Sequence, residues 1–146
     1  MKYNFNGFTE KANEGLNQAI NSAAQMGHTY VGSEHLLLGL LRVGSGVAAS
    51  VLTKHGITAD KFEEHIRTNI GTGTPTKLSP DYFTPRAKHI IEVGMQTARS
   101  MNKKYVGTEH ILIGILSEKD SFAIRFLKEA GVDISAITKD AIEFSG

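Results

Sequence analysis

The chain has 146 residues, a length that suits one domain able to bury roughly 68–70% of its unfolded surface. Sixteen Lys and Arg against fifteen Asp and Glu leave no field to hold nucleic acid or an anionic membrane, and the absence of cysteine excludes disulfide frameworks and thiol chemistry. No apolar run approaches the ~18 residues that span a bilayer, and the N-terminus lacks a signal peptide's apolar core, so the expectation is a soluble cytoplasmic protein with no nucleic-acid or membrane partner.

Thr9 is a good N-cap, and Ala12, Leu16, Ala19, Ile20 and Ala23 follow at three- and four-residue spacing, predicting a helix to about Met26. A short link reaches Gly32-Ser33, where the hydroxyl is expected to cap a second helix over Glu34 to Arg42. Leu36, Leu37, Leu38, Leu40 and Leu41 make that helix apolar on every side, which places it in the middle of a core. Gly39 inside it costs about 1 kcal/mol against Ala, and close approach of another helix is the expected reason. A third helix covers Val47 to Lys54, stopped by Gly56, and a fourth runs from about Ala59 to Ile70. Residues 71–82 hold two Gly, two Pro and four Ser or Thr and read as an exposed linker.

The pattern then repeats at a constant offset of 75 residues. Thr84 with Pro85 opens a fifth helix, to about Met101. Thr108 precedes a sixth, Glu109 to Glu118, with Ile111, Leu112, Ile113, Ile115 and Leu116 around Gly114. The seventh covers Phe122 to Glu129, stopped by Gly131, and the eighth runs from about Ser135 to Phe144. Tyr30-Val31-Gly32-Ser33-Glu34-His35 returns as Tyr105-Val106-Gly107-Thr108-Glu109-His110 without a gap. The expected fold is all-α: one domain over 1–146, a pseudo-two-fold bundle of eight helices built from two four-helix repeats at 8–70 and 83–144. Each half alone would be marginal at about 60 residues, so a shared seam is expected.

Candidate chemistry is sparse. Gly71 to Leu78 mimics G-x-x-x-x-G-K-[ST] but has Thr76 in place of the second glycine and Leu78 in place of the hydroxyl. No nucleophile elbow occurs, and no His pair shares a helix face at i, i+4. Glu34-His35 and Glu109-His110 neighbours point about 100° apart on a helix, so each pair cannot chelate one ion. The histidines are expected to be structural, packed at a helix start and bonded to backbone. Glu34 and Glu109 favour the positive end of the helix dipole, and their recurrence in one repeated setting marks them as ligand candidates.

The paired blocks Phe8-Thr9 with Val31-Gly32-Ser33-Glu34-His35-Leu36-Leu37-Leu38-Gly39-Leu40, and Phe83-Thr84-Pro85-Arg86-Ala87 with Val106-Gly107-Thr108-Glu109-His110-Ile111-Leu112, resemble the Clp N-terminal repeat that opens AAA+ protein unfoldases. They look most like the ClpC type of Gram-positive bacteria, over residues 5 to about 144. The resemblance implies a non-enzymatic domain that receives protein substrates and adaptors for an ATPase ring and its peptidase, with stress response as its setting. It implies no cofactor in this domain, ATP and magnesium belonging to ATPase modules that these residues do not contain. ClpC-type domains are also similar to receptors for phosphorylated arginine. By position, Glu34 and Glu109 would hold the guanidinium, with Thr9 and Thr84 near the phosphate, Ser33 and Thr108 beside the carboxylates, and Lys11 or Arg86 adding charge. Two departures mark the second copy: Lys119-Asp120-Ser121 stands against Gly44-Ser45-Gly46, and Asn102-Lys103 against Gly27-His28. The alternatives are a free-standing helical adaptor of the same fold and, from another class, a small His/Glu metal-dependent enzyme.

Overall fold

The computed structural model describes residues 2–145. Thr9 Oγ1 accepts from the Ala12 amide at 3.1 Å and Thr84 Oγ1 from the Ala87 amide at 3.0 Å. These caps open two helices of 16 residues each, α1 (Glu10–Gln25) and α5 (Pro85–Ser100). Between and after them lie α2 (Ser33–Val43), α3 (Val47–Lys54), α4 (Ala59–Asn69), α6 (Thr108–Leu116), α7 (Phe122–Glu129) and α8 (Ile134–Phe144). The described residues therefore form eight α-helices, with no strand beyond isolated bridges.

Those bridges reveal the symmetry. Phe8 pairs with Val106 and Val31 with Phe83, both parallel. Adding or subtracting the repeat offset of 75 turns one pair into the other with the partners exchanged. The flanking bonds obey the same exchange: Thr9 N–H to the Val106 carbonyl is 2.9 Å and Thr84 N–H to the Val31 carbonyl is 3.0 Å. A reciprocal contact of this kind is the mark of a two-fold relation, since a translation would pair the repeats head to tail.

Helix α2 is enclosed along its length, residues 33–41 all being buried, and α6 buries Ile111, Leu112, Ile115 and Leu116. A β-carbon on Gly39 would collide with the Gly15 carbonyl oxygen of α1, and one on Gly114 with the Ile90 carbonyl oxygen of α5. The two glycines thus set how closely each core helix crosses its neighbour. Buried side chains from both repeats form one hydrophobic core.

The seam between repeats is sealed twice. Helix α3 meets α8 where the Asp140 carboxylate accepts from His55 Nε2 at 2.8 Å and Lys54 Nζ at 3.1 Å. Together with Lys54, that imidazole holds the Asp140 carboxyl below the usual carboxylate range. Helix α7 meets α4 through Phe62 and Phe126, ring centroids 4.6 Å apart, with His65 at 3.9 Å from Glu129. Under the offset of 75, Lys54 corresponds to Glu129 and His65 to Asp140. The basic and acidic partners change places between the two ends of the seam.

Three sequence expectations need correction. Ser33 and Thr108 do not cap α2 and α6; they are their first helical residues, and the N-cap positions are Gly32 and Gly107. The glycine at each N-cap gives its own amide to Nδ1 of the histidine three residues on. Thr108 Oγ1 accepts from the Ala48 amide at 3.2 Å, serving the start of α3 in the other repeat. Helix α6 ends at Leu116, two residues before Glu118, and the Ser117 hydroxyl donates to the Gly114 carbonyl at 2.7 Å, bonding the α6 carbonyl end. The segment 71–82 is only partly exposed: Gly73 N–H bonds the Met26 carbonyl, Thr76 bonds the Ala24 and His28 carbonyls, and Pro80–Tyr82 form a 3-10 turn.

Candidate functional site

The repeated Gly-Ser/Thr-Glu-His block acquires a physical meaning at the starts of α2 and α6. Each glutamate side chain folds back over its own helix start, and a β-carbon at Gly32 or Gly107 would strike the Glu34 or Glu109 carboxylate. Glycine leaves room there for the carboxylate to fold back, and its backbone is not left-handed. The histidine then satisfies the cap: Gly32 N–H donates to His35 Nδ1 at 2.9 Å, and Gly107 N–H to His110 Nδ1 at 2.8 Å.

In the first repeat a hydrogen-bond relay continues inward. His35 Nε2 lies 2.7 Å from His28 Nδ1, and His28 Nε2 lies 2.8 Å from the Gly71 carbonyl oxygen. A carbonyl only accepts, so His28 Nε2 carries a proton and its Nδ1 accepts from His35 Nε2–H. His35 Nδ1 is thereby left to accept from Gly32, and both rings are neutral. Burial, then the neighbouring His28, pushes His35 down to about 3. In the second repeat Lys103 replaces His28. His110 Nε2 is buried with no hydrogen-bond partner among the described residues, while Lys103 Nζ reaches the Ser145 carbonyl at 3.0 Å. Burial lowers His110 as well, against the opposing pull of Glu109.

The two glutamates differ in their surroundings. Glu34 is buried, and its Oε2 accepts from the Tyr30 hydroxyl at 3.1 Å. Burial and the Glu34 carboxylate push Tyr30 up to about 12, so it stays a donor. Tyr30 stacks on His28, rings 7° from parallel. Glu109 is only half-buried, and its Oε2 accepts from the Ser145 hydroxyl at 2.8 Å.

Of the sequence candidates, Ser33, Glu34, Thr84 and Arg86 line one open cleft of about 430 Å³, within the size range of small-ligand sites. The cleft thus crosses the repeats, with the carboxylate from α2 and the threonine and arginine from α5. Arg125 on α7 lines it too. Thr9, Lys11 and Thr108 lie at the other end of the two-fold, while Glu109 bonds Ser145. There Thr9 bonds Val106, Lys11 and Thr108 flank Gly46, and the Lys11 ammonium donates to the Ser45 hydroxyl. Arg86 makes the equivalent reach, donating to the Asp120 carbonyl at 3.3 Å. Ser33, Glu34, Thr84 and Arg86 thus share one cleft built from both repeats.

Sequence reasoning missed Tyr30 and Arg125. Tyr30 stood inside the repeated block and could have been found there. Arg125 has Ser50 as its counterpart, so repetition gave no signal for it.

Among the described residues no group of three or more His, Cys, Asp or Glu is placed to hold a metal ion. No single helix is long and apolar enough to cross a membrane.

Residues 7–144 match the family described as the Clp repeat (R) N-terminal domain. Among curated relatives, the chain is 39% identical over 142 residues to the Bacillus subtilis negative regulator of genetic competence ClpC/MecB, covering 97% of this chain and 17% of that protein. It is 38% identical over 146 residues to the chloroplastic chaperone protein ClpC1 of Arabidopsis thaliana, covering 100% of this chain and 16% of the relative. The chain thus spans about one sixth of the length of these relatives. Among solved structures, the N-terminal domain of the caseinolytic protease associated chaperone ClpD from Arabidopsis thaliana superposes with a TM-score of 0.83 at 28% identity, covering 98% of this chain and 100% of that one.

Proposed function

The chain belongs to the Clp repeat N-terminal domain family, and from that premise we propose that it is the substrate- and adaptor-binding domain of a Clp AAA+ unfoldase, recognising proteins marked by phosphoarginine. It acts by binding rather than catalysis; the ATPase ring and peptidase are reached through the parent chain. The observation that carries the reading is the Glu34 cleft, where a buried carboxylate faces the same space as Arg86 and Arg125.

A phosphoguanidine presents a nitrogen fork at one end and an anion at the other. The fork suits a fixed carboxylate, because parallel N–H···O bonds to an ionised acceptor are strong and geometrically selective. The anion suits arginine side chains and the amides of a helix start. Tyr30, which also lines the cleft, donates to Glu34, and Thr84, already capping α5 through its oxygen, retains a hydroxyl proton for a phosphoryl oxygen.

Calorimetric titration with phosphoarginine tests this. Binding is expected, and Glu34→Ala should weaken it by about ten- to a hundredfold, since a charged hydrogen bond contributes roughly 1.5–3 kcal/mol. An isotherm unchanged by Glu34→Ala would replace the phospho-mark reading with plain adaptor docking.

A further inference from the structure

We infer that the groove beside the link between α5 and α6 is a docking site for an extended peptide of a partner protein, one whose acidic residues stand just before an apolar residue. The site is separate from the Glu34 cleft.

The first repeat supplies the template, because there the chain itself lies along the equivalent course. The Thr76 amide donates to the Ala24 carbonyl at 2.9 Å, and its hydroxyl to the His28 carbonyl at 2.7 Å. Leu78 follows, packed against the core, and Ile20 is only 2% exposed. An offset of 75 turns Ala24, His28 and Ile20 into Arg99, Lys103 and Met95. Those three line an open cavity of about 200 Å³, and Met95 is 41% exposed.

The offset also turns residues 77–79 into residues 2–4, but these do not line the cavity. Asn17 on α1 clasps Tyr3 instead, its Oδ1 accepting from the Tyr3 amide and its Nδ2 donating to the Tyr3 carbonyl, both at 2.7 Å. Asn13 Oδ1 likewise accepts from the Phe5 amide at 2.6 Å. Among the described residues, then, no strap crosses the second groove. Asn102 limits its length. Its counterpart Gly27 leaves room for Gly73 where a β-carbon would collide, whereas Asn102, also left-handed, keeps a side chain at that point. An occupant can therefore follow the course of residues 76–78 but not that of Gly73.

Charge sets the class of occupant. Ala24, His28 and Thr29 give way to Arg99, Lys103 and Lys104, and among the described residues no carboxylate lines the cavity. The Ser145 carbonyl holds Lys103 Nζ at 3.0 Å, while Lys104 Nζ lies 5.6 Å from the centroid of the Tyr105 ring. Arg99 and Lys104 are exposed and can reach a carboxylate, and the anchored Lys103 adds its field. A carboxylate in the place of Thr76 meets these cations. An apolar residue in the place of Leu78 covers Met95 and the Tyr105 ring.

The test is fluorescence polarisation with two labelled peptides: residues 74–80 of this chain, and the same segment with Thr76 and Lys77 replaced by glutamate. The glutamate peptide should bind about tenfold more tightly, and Arg99→Glu combined with Lys104→Glu, checked for folding by circular dichroism, should lose about as much. A scrambled peptide of the same composition should bind more weakly, and excess phosphoarginine should leave the glutamate peptide bound. Equal affinity for the two segments or for the scrambled form overturns the inference, as does no binding, or an isotherm unchanged by the double charge reversal. Displacement by phosphoarginine also overturns it, by assigning the peptide to the Glu34 cleft.

Discussion

The same histidine is buried in both repeats, yet its inner nitrogen is treated in opposite ways. His35 passes a proton toward His28, which passes one to the Gly71 carbonyl, so every polar atom along the line is paired. His110 is as deeply buried, and its Nε2 meets no acceptor among the described residues. One position separates them, His28 against Lys103. What both repeats share is the outer half of the arrangement: glycine amide to Nδ1, with the glutamate folded over the glycine. The helix start needs only that half. The inner wiring is an addition of the first repeat, and it ties residue 71 of the inter-repeat segment to the floor under Glu34.

The largest effect tests whether the repeats still share one core. Leu37 and Leu112 are both fully buried, so Leu37→Ala and Leu112→Ala should each cost about 2–5 kcal/mol in urea unfolding. A loss of surface-substitution size in one of them would show that its core helix faces solvent and that the halves are not equivalent. Next comes His28→Ala, which gives the first repeat the orphaned nitrogen of the second. Leaving His35 Nε2–H buried without an acceptor should cost roughly 1–3 kcal/mol.

The same relay predicts an acid limb. His35 titrates near 3 when folded and near 6.5 when unfolded, so between those values the unfolded chain binds the extra proton. Stability from this ring is complete above about pH 6.5 and falls toward pH 3, by up to roughly 1.4 kcal/mol per unit. Urea midpoints measured across that range should show the decline, and His35→Gln should make it shallower; an identical slope would remove the relay from the account. The smallest effect is at the seam. Asp140→Asn breaks contacts to Lys54 and His55 at the surface and should lower the midpoint slightly in dilute buffer and not at all in molar salt.

Much of the fold was legible because the repeat doubled every signal. Thr9 and Thr84 marked helix starts, and Gly39 and Gly114 marked close crossings, each position vouching for the other. The starts of α2 and α6 were misread because a hydroxyl beside a helix start looks like a cap. The fold instead puts glycine at each cap, bonds that glycine's amide to the histidine at the third helical position, and turns Thr108 to the start of α3. The candidate residues were legible as types, but their grouping was not. Nothing linear says that Glu34 shares a cleft with Arg86 from the other repeat, because the exchange arises from the reciprocal bridges Phe8–Val106 and Val31–Phe83. Arg125 was invisible for the opposite reason: it departs from the repeat, and a search guided by sameness overlooks a residue whose value lies in being different.

The reversed ion pairs at the seam have a consequence for which molecules can exist. Suppose two first repeats met through the surface they now offer the second. Lys54 and His55 of each would face His65 of the other, with no carboxylate between them. Two second repeats would bring Glu129 against Asp140, anion against anion. Only the mixed pair gives each carboxylate a basic partner, Asp140 with Lys54 and Glu129 with His65. A free first repeat therefore carries a built-in aversion to its own copies and an affinity for its sibling, as in a lock whose key is cut from the other half of the same gene product. Exchange of repeats between chains would still satisfy the charges, whereas a homodimer of either repeat would not.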